Sequence, residues 1–315
     1  MSIDGNGTLE GLEQFMARLG RIDARAARAG ALTTWGLHPQ RADPDSSLAL
    51  DDAGFMPDRS PLVESMALWP IMAATDSLTT ASELMLRVTK KTDFSTKAQL
   101  RAPSVMGLCR SAVESSGRTI WLLGNQDRDV RRQRAVGLLV NELKQQTNYN
   151  GNEVDNLRTG KIAAPPQQRK AFEKGHKELL IEYNQLKSNT AAYESPPGFG
   201  TTTERAADWI DEHIPPHDRG ELAKGGMAIG VRRMYSISSA VGHGMQWAND
   251  YARNGDLFAM LAEALAASVN MTECAVALIE AHSQSPTNAT RRRRQYPRQL
   301  EPTITEWKRL FPSTA

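Results

Sequence analysis

From Leu9 to Arg28, apolar residues return every three or four positions among Arg and Glu, the spacing of a helix with one buried side. The next stretch, "GLHPQRADPDSSLALDDAGFMPDRSP", drops that period and fills with Pro, Asp and Gly. It reads as a long loop that either wraps the surface or is partly disordered. Ser60 and Pro61 restart the pattern: a side-chain oxygen to cap, then a residue with no N–H to leave unpaired. The helix that follows is predicted to run to about Lys90, bent by Pro70 beside Trp69.

Pro103 opens a further helix, "PSVMGLCRSAVESSGRTIWLLG", which Gly124 can close. "DRDVRRQRAVGLLVNELKQQTNYN" continues as a helix crowded with arginine in its first turns, and "APPQQRKAFEKGHKELLIEYNQLKS" is helical but polar enough to be partly exposed. "YESPPGFGTTT" carries turn residues and reads as a loop; "TERAADWIDEHIPP" is a short helix stopped by two prolines. The last strong helices are predicted from about Gly230 to Arg253 and from about Asp256 to Ala281. A tail, "SQSPTNATRRRRQYPRQLEPTITEWKRLF", ends in an amphipathic piece bearing Ile304, Trp307, Leu310 and Phe311. No alternating strand pattern stands between turn signals, and no repeat of solenoid length occurs. The expected fold is all-α: an irregular multi-helix bundle with a long N-terminal loop and extra peripheral helices. It divides into an N-terminal helix and loop (1–60), a bundle core (61–285) and a basic tail (286–315).

Composition changes this picture little. Lys plus Arg total 38 against 36 for Asp plus Glu, a net charge of +2 that argues against a DNA-coating protein but permits local basic patches. Cys109 and Cys274 sit in apolar helical patterns and read as reduced core residues. The N-terminal "GNGTLEG" reads as a flexible leader without the form of a signal peptide. The apolar run "MLAEALAASVNMTECAVALIEA" is interrupted by Glu263, Asn270 and Glu273. No membrane partner and a cytoplasmic location are therefore expected.

The chemistry of interest lies in "YSISSAVGHG". Tyr235, Ser239 and His243 are four residues apart and would form a ridge on one side of a helix. Val231, Met234, Ile237, Val241, Met245 and Ala248 gather on one side, while Arg232, Ser236, Ser239, His243 and Gln246 gather on the other. The polar side holds Ser, Ala and Gly rather than Lys and Glu, and includes Trp247, so burial on both sides is expected. In "CRSAVESSGRTIW", Arg110, Glu114 and Arg118 also step by four. Glu114 before Arg118 is the favourable order for an ion pair. If the ridges face each other, Glu114 can fix one nitrogen of His243 and select its tautomer. The alternatives are a solvated Arg–Glu–Arg face and a Tyr–Ser–His packing seam with hydroxyls bonded back to the helix.

No metal or cofactor is expected. There is no paired-Cys motif, His-x3-His or HExxH; in "HIPPH" two prolines keep His213 and His217 off a common helical face, giving a capped turn. The glycines of "AKGGMAIG" lack a preceding strand, and no Gly-x-Ser-x-Gly elbow occurs.

Together "RSAVESSGRTIWLL" and "YSISSAVGH" resemble bacterial helical proteins with an Arg-x3-Glu helix and a later Tyr-x3-Ser-x3-His helix, associated with the HEPN superfamily. The resemblance covers about 25 residues in two patches. It matches Arg110 and Glu114 to the first motif, and Tyr235, Ser239 and His243 to the second. Many members of that superfamily are RNA-cleaving toxins or anti-phage effectors, so it implies RNA as partner, a metal-independent ribonuclease activity and a homodimer. Its nuclease members carry an arginine, usually followed by a polar residue, then histidine after four to six intervening positions; nothing of that form precedes His243. "RKAFEKGH", Arg169 to His176, is the fit this sequence offers, and is a second candidate pair. Metal-free RNA cleavage needs a base, an acid and a cation, which histidine and arginine can supply, with "DRDVRRQR" and "TRRRRQYPR" holding the backbone. The competing expectation is a non-catalytic interaction protein, its polar seam setting helix register and its Trp307–Phe311 tail docking a partner.

Overall fold

A computed structural model describes residues 5–89, 101–189, 193–248, 250, 257–287 and 292–312; the predicted helix end at Lys90 and the arginine at 291 lie outside these. Every regular element among them is helical, as the period of the sequence requires. The helices are α1 (Gly5–Ala31), α2 (Thr33–Leu37), α3 (Ser47–Asp52), α4 (Leu62–Thr89), α5 (Ala102–Leu123) and α6 (Arg128–Arg158). They continue with α7 (Pro166–Ser188), α8 (Phe199–Glu212), α9 (Arg219–Gly225), α10 (Met227–Gly242), α11 (Leu257–Ser283) and α12 (Glu301–Lys308). The chain forms two compact units, each discontinuous in sequence: Met1–Leu50 with Ala67–Gln126 and Gly198–Ala315, and Asp51–Met66 with Asp127–Pro197.

In the larger unit α11 is the central element, packed by α1, α5, α10 and α12. From Ala267 to Ser283 every residue is buried, the pattern of a helix apolar all round. The whole helix is long and apolar enough to cross a membrane, yet 89% of its most apolar 18 residues are buried inside the fold. α5 lies against it through the predicted side: Val105, Cys109, Ala112, Val113 and Ile120 are all buried. Gly117 brings α8 close, since a Cβ there would stand 3.0 Å from the Thr203 Cα. Hydroxyls on these faces are satisfied locally, Ser116 with Thr272 at 3.0 Å and Thr119 donating to the Ala67 carbonyl at 2.7 Å.

The tail also folds onto this unit. Ile304, Trp307 and Phe311 are buried. The Trp307 indole donates to the His213 carbonyl at 3.2 Å and sits edge-on to Trp209, and the Phe311 ring is 3.9 Å from that of His282. Each large side chain sealed this way contributes about 1.5–3 kcal/mol. The tail's aromatic side is therefore already occupied by the chain's own core.

In the smaller unit the Asp127 side chain caps α6 at the Asp129 amide, 2.8 Å away, and α7 turns back along α6 after a turn with Gly160 at φ +72°. No residue of α7 is fully buried, in line with its polar sequence. The Tyr193–Pro197 segment crosses α6 at Gly137, where a Cβ would lie 1.9 Å from the Glu194 carbonyl oxygen. Gly137→Ala is therefore expected to lower stability although alanine is the better helix former by about 1 kcal/mol. The clash, about 1–3 kcal/mol for overpacking, exceeds that gain. Chemical denaturation of the two proteins checks the sign.

Several sequence expectations are corrected. "GNGTLEG", expected to be flexible, is helical and forms the first turns of α1. The expected long loop contains α2, α3 and a short 3-10 turn (Pro57–Arg59), with Trp35, Ser46, Leu48, Asp51 and Asp52 buried. α4 is capped not by Ser60 but by Asp52, whose carboxylate accepts from the Val63 and Glu64 amides at 2.8 and 3.0 Å. α6 runs on to Arg158, past the expected end at Asn150. Phe199 and Gly200, expected in a loop, begin α8.

Candidate functional site

α10 does not reach Arg253 as the sequence period implied; it ends at Gly242. Gly244 adopts φ +65°, its amide bonds the Val241 carbonyl at 3.1 Å, and the Met245 amide bonds the Ala240 carbonyl at 2.9 Å. This paired closure is a Schellman stop, which needs a residue free to turn left-handed. The "GHG" in the sequence is the signal that announced it. Nor is α10 buried on both sides. Met227, Ala228, Val231, Met234, Ser238 and Ala240 face the core, whereas Arg232, Ser236, His243, Gln246 and Trp247 are exposed.

The structure joins two of the predicted patches. Arg110 Nε donates to Glu114 at 2.8 Å, and Arg110 Nη2 donates to the Tyr235 hydroxyl at 3.0 Å. The guanidinium carbon also lies 4.4 Å from the Tyr235 ring centre, a cation–π approach. α8 backs the ring: a Cβ on Gly200 would be 3.8 Å from it. The Arg110 and Glu114 side chains are 27% and 21% exposed, so the pair is half-buried and open to solvent on one side. Its bond to Glu114 raises the Arg110 pKa further above its ordinary value. Burial first, then the nearby Glu114 carboxylate, raises that of Tyr235, which stays a neutral hydroxyl. Among the described residues Arg110 Nη1 has no hydrogen bond.

Ser239 is half-buried and His243 exposed at the end of α10. The expected Glu114–His243 bond is not formed: the Glu114 carboxylate accepts from Arg110, and the His243 imidazole has no hydrogen bond or ion pair among the described residues. His243 lies eight residues past Tyr235, about 12 Å along the helix axis. The structure thus brings Arg110, Glu114 and Tyr235 into contact and leaves His243 apart from them at the end of α10. Arg169 and His176 are both half-buried on α7, two turns apart.

The basic clusters serve the fold. Arg131 holds the buried Asp51 with two bonds of 2.6 Å, Arg128 adds one at 3.3 Å, Arg132 donates to the Asp51 carbonyl at 2.7 Å and Arg134 pairs with Glu194 at 2.9 Å. In the tail, Arg292 reaches Glu280 at 3.0 and 3.1 Å, while Arg293 and Arg294 are exposed.

A buried network escaped the sequence reading. Glu273, wholly inside α11, receives Arg28 Nε at 3.2 Å and Gln299 Nε2 at 2.6 Å, and also Arg28 Nη2. His217 Nε2 stands 3.4 Å from the same carboxylate, and its Nδ1 is 2.7 Å from the Thr303 hydroxyl. Hydroxyl, imidazole and carboxylate follow one another as in a nucleophilic triad. Yet Thr303 and Glu273 are at 0% exposure and the His217 side chain at 1%, so no substrate reaches them. Burial alone raises the Glu273 pKa; the adjoining His217 imidazole and the bonds and charge of Arg28 outweigh it and hold it below the ordinary 4.5. One heptad on, Glu280 accepts from the Trp35 indole at 2.8 Å as well as from Arg292. Asn270 and Glu273 in an otherwise apolar run were the available signal: a buried carboxylate demands cations from elsewhere.

Comparison with known proteins gives no family model that matches the chain, and no curated protein or solved structure similar to it.

Proposed function

We propose that this helical protein acts on or binds RNA through the face carrying Arg110, Glu114, Tyr235, Ser239 and His243, as a metal-independent ribonuclease of stress or phage conflict. The observation that supports the reading is the bond from Arg110 to the Tyr235 hydroxyl, which unites residues 125 positions apart on a face open to solvent. Arg110 is the cation for a phosphate, oriented by Glu114 and Tyr235. His243 is the proton-transfer group: it takes the 2′-hydroxyl proton as that oxygen attacks phosphorus and returns it to the departing 5′-oxygen, while Arg110 holds a neighbouring phosphate of the same strand. A ligand engaging both must be extended, as a single RNA strand is. Because Arg128, Arg131, Arg132 and Arg134 are engaged within the fold, binding on this reading rests on few phosphate contacts and has a shallow salt dependence.

The test is incubation of purified protein with structured RNA in excess EDTA, beside an oligonucleotide lacking 2′-hydroxyls. Cleavage of the RNA alone is expected, at least a hundredfold slower for His243→Ala, with an unchanged melting temperature because that imidazole is exposed and makes no hydrogen bond or ion pair among the described residues. Absence of both cleavage and RNA binding removes the reading. A second reading, a non-catalytic interaction protein with a structural seam, is favoured by Met245 and Trp247, each 47% exposed beside that ridge. On it, His243→Ala is silent and Tyr235→Phe costs stability alone, about 1–3 kcal/mol for the polar groups left behind.

A further inference from the structure

The smaller unit contains a cleft of about 690 Å³ between α6 and α7, within the size range of small-molecule sites. Its walls include two aromatic rings, Tyr149 and Phe172. Tyr149 is 64% exposed, far more than a tyrosine held for packing needs. Three primary amides, those of Gln146, Asn150 and Gln168, line the same cleft, and none of them makes a side-chain hydrogen bond among the described residues. His176 also lines it, its ring over Gly151 and its Nδ1 buried without a hydrogen-bond partner. Glu153 is the charged group of the lining; no Lys or Arg belongs to it.

This donor set has a chemical reading. Aromatic rings offer stacking surfaces to a flat ligand, and each amide offers a donor beside an acceptor, the pairing that matches the edge of a nitrogen heterocycle. A carboxylate adds an acceptor for an amino group or ring N–H on that edge, and repels phosphate where no cation answers it. We propose that the α6–α7 cleft binds the base of a nucleoside bearing an exocyclic amino group, without engaging a phosphate. The cleft is built from residues of one unit and stands independently of the Arg110 face, so either assignment survives failure of the other.

Titration calorimetry with adenosine, guanosine, cytidine and uridine, on the full-length protein, tests it. Binding of at least one amino-bearing nucleoside is expected, tighter than that of uridine, and unchanged or weakened by adding a 5′-phosphate. Base–aromatic stacking is lost in Tyr149→Ala, which is expected to weaken binding about fivefold or more with an unaltered melting temperature, since this ring is exposed. Glu153→Gln is expected to narrow the preference over uridine. The proposal is overturned if no nucleoside binds at millimolar concentration, if Tyr149→Ala binds as tightly as the parent, or if nucleotides bind more tightly than nucleosides.

Discussion

Asp51→Ala is expected to destabilise the smaller unit by about 3–5 kcal/mol. The carboxylate is fully buried and receives two 2.6 Å bonds from Arg131, whose side chain is 2% exposed. Removing it takes the carboxylate from a guanidinium whose side chain is 2% exposed. Burial raises the Asp51 pKa, with Arg131 and Arg128 opposing, so desolvation outweighs attraction at this site. Asp51→Ala combined with Arg131→Met is accordingly expected to recover most of the loss, because an apolar pair of similar volume avoids desolvation altogether. Urea unfolding of the three proteins decides it. A single substitution costing under about 1 kcal/mol, or a double variant no better than the single, contradicts the buried pair.

Glu273→Gln is expected to cost about 3 kcal/mol at neutral pH, the low end for a broken buried pair because Asp218 still faces Arg28 at 3.1 Å. It is also expected to change the acid limb of the stability curve. The Glu273 pKa in the fold lies below its ordinary value of 4.5. Its ionised form thus stabilises the fold above that value, and the contribution is lost as pH falls through the folded-state pKa. Parent and variant should therefore differ most at neutral pH and converge below about pH 4.5. Asp51 and Asp52 have raised pKa values and titrate with the opposite sign, so the informative quantity is the difference between the two proteins. Thermal melts from pH 3 to 7 measure it; a constant gap would contradict the assignment.

What the sequence disclosed follows from what local pattern encodes. The side of α5 defined by Val105, Cys109, Ala112, Val113 and Ile120 was legible because three- and four-residue spacing fixes a helical face before any partner is known. The meeting of Arg110 with Tyr235 was an inference about two polar ridges, and the bond exists. Its details were not legible, since whether Glu114 answers Arg110, Arg118 or His243 depends on side-chain reach across helices. The Schellman stop at Gly244 was legible in principle and was overridden by an apolar period that continued through Met245 and Ala248. The partners of Glu273, Glu280 and Asp51 had no local signature: Arg28, Arg292 and Arg131 come from distant segments. Arginine runs that read as a nucleic-acid footprint were, in part, the counterions of an acidic interior.

The two buried carboxylates of α11 bind the order of assembly to the whole polypeptide. One is neutralised from the first helix and the other by Arg292, which follows them in synthesis. A nascent polypeptide that has delivered α11 but not yet Arg292 holds Glu280 without its arginine at the heart of its central helix. The interior of this unit therefore cannot mature segment by segment as the ribosome advances; it closes late, once both flanks are in hand.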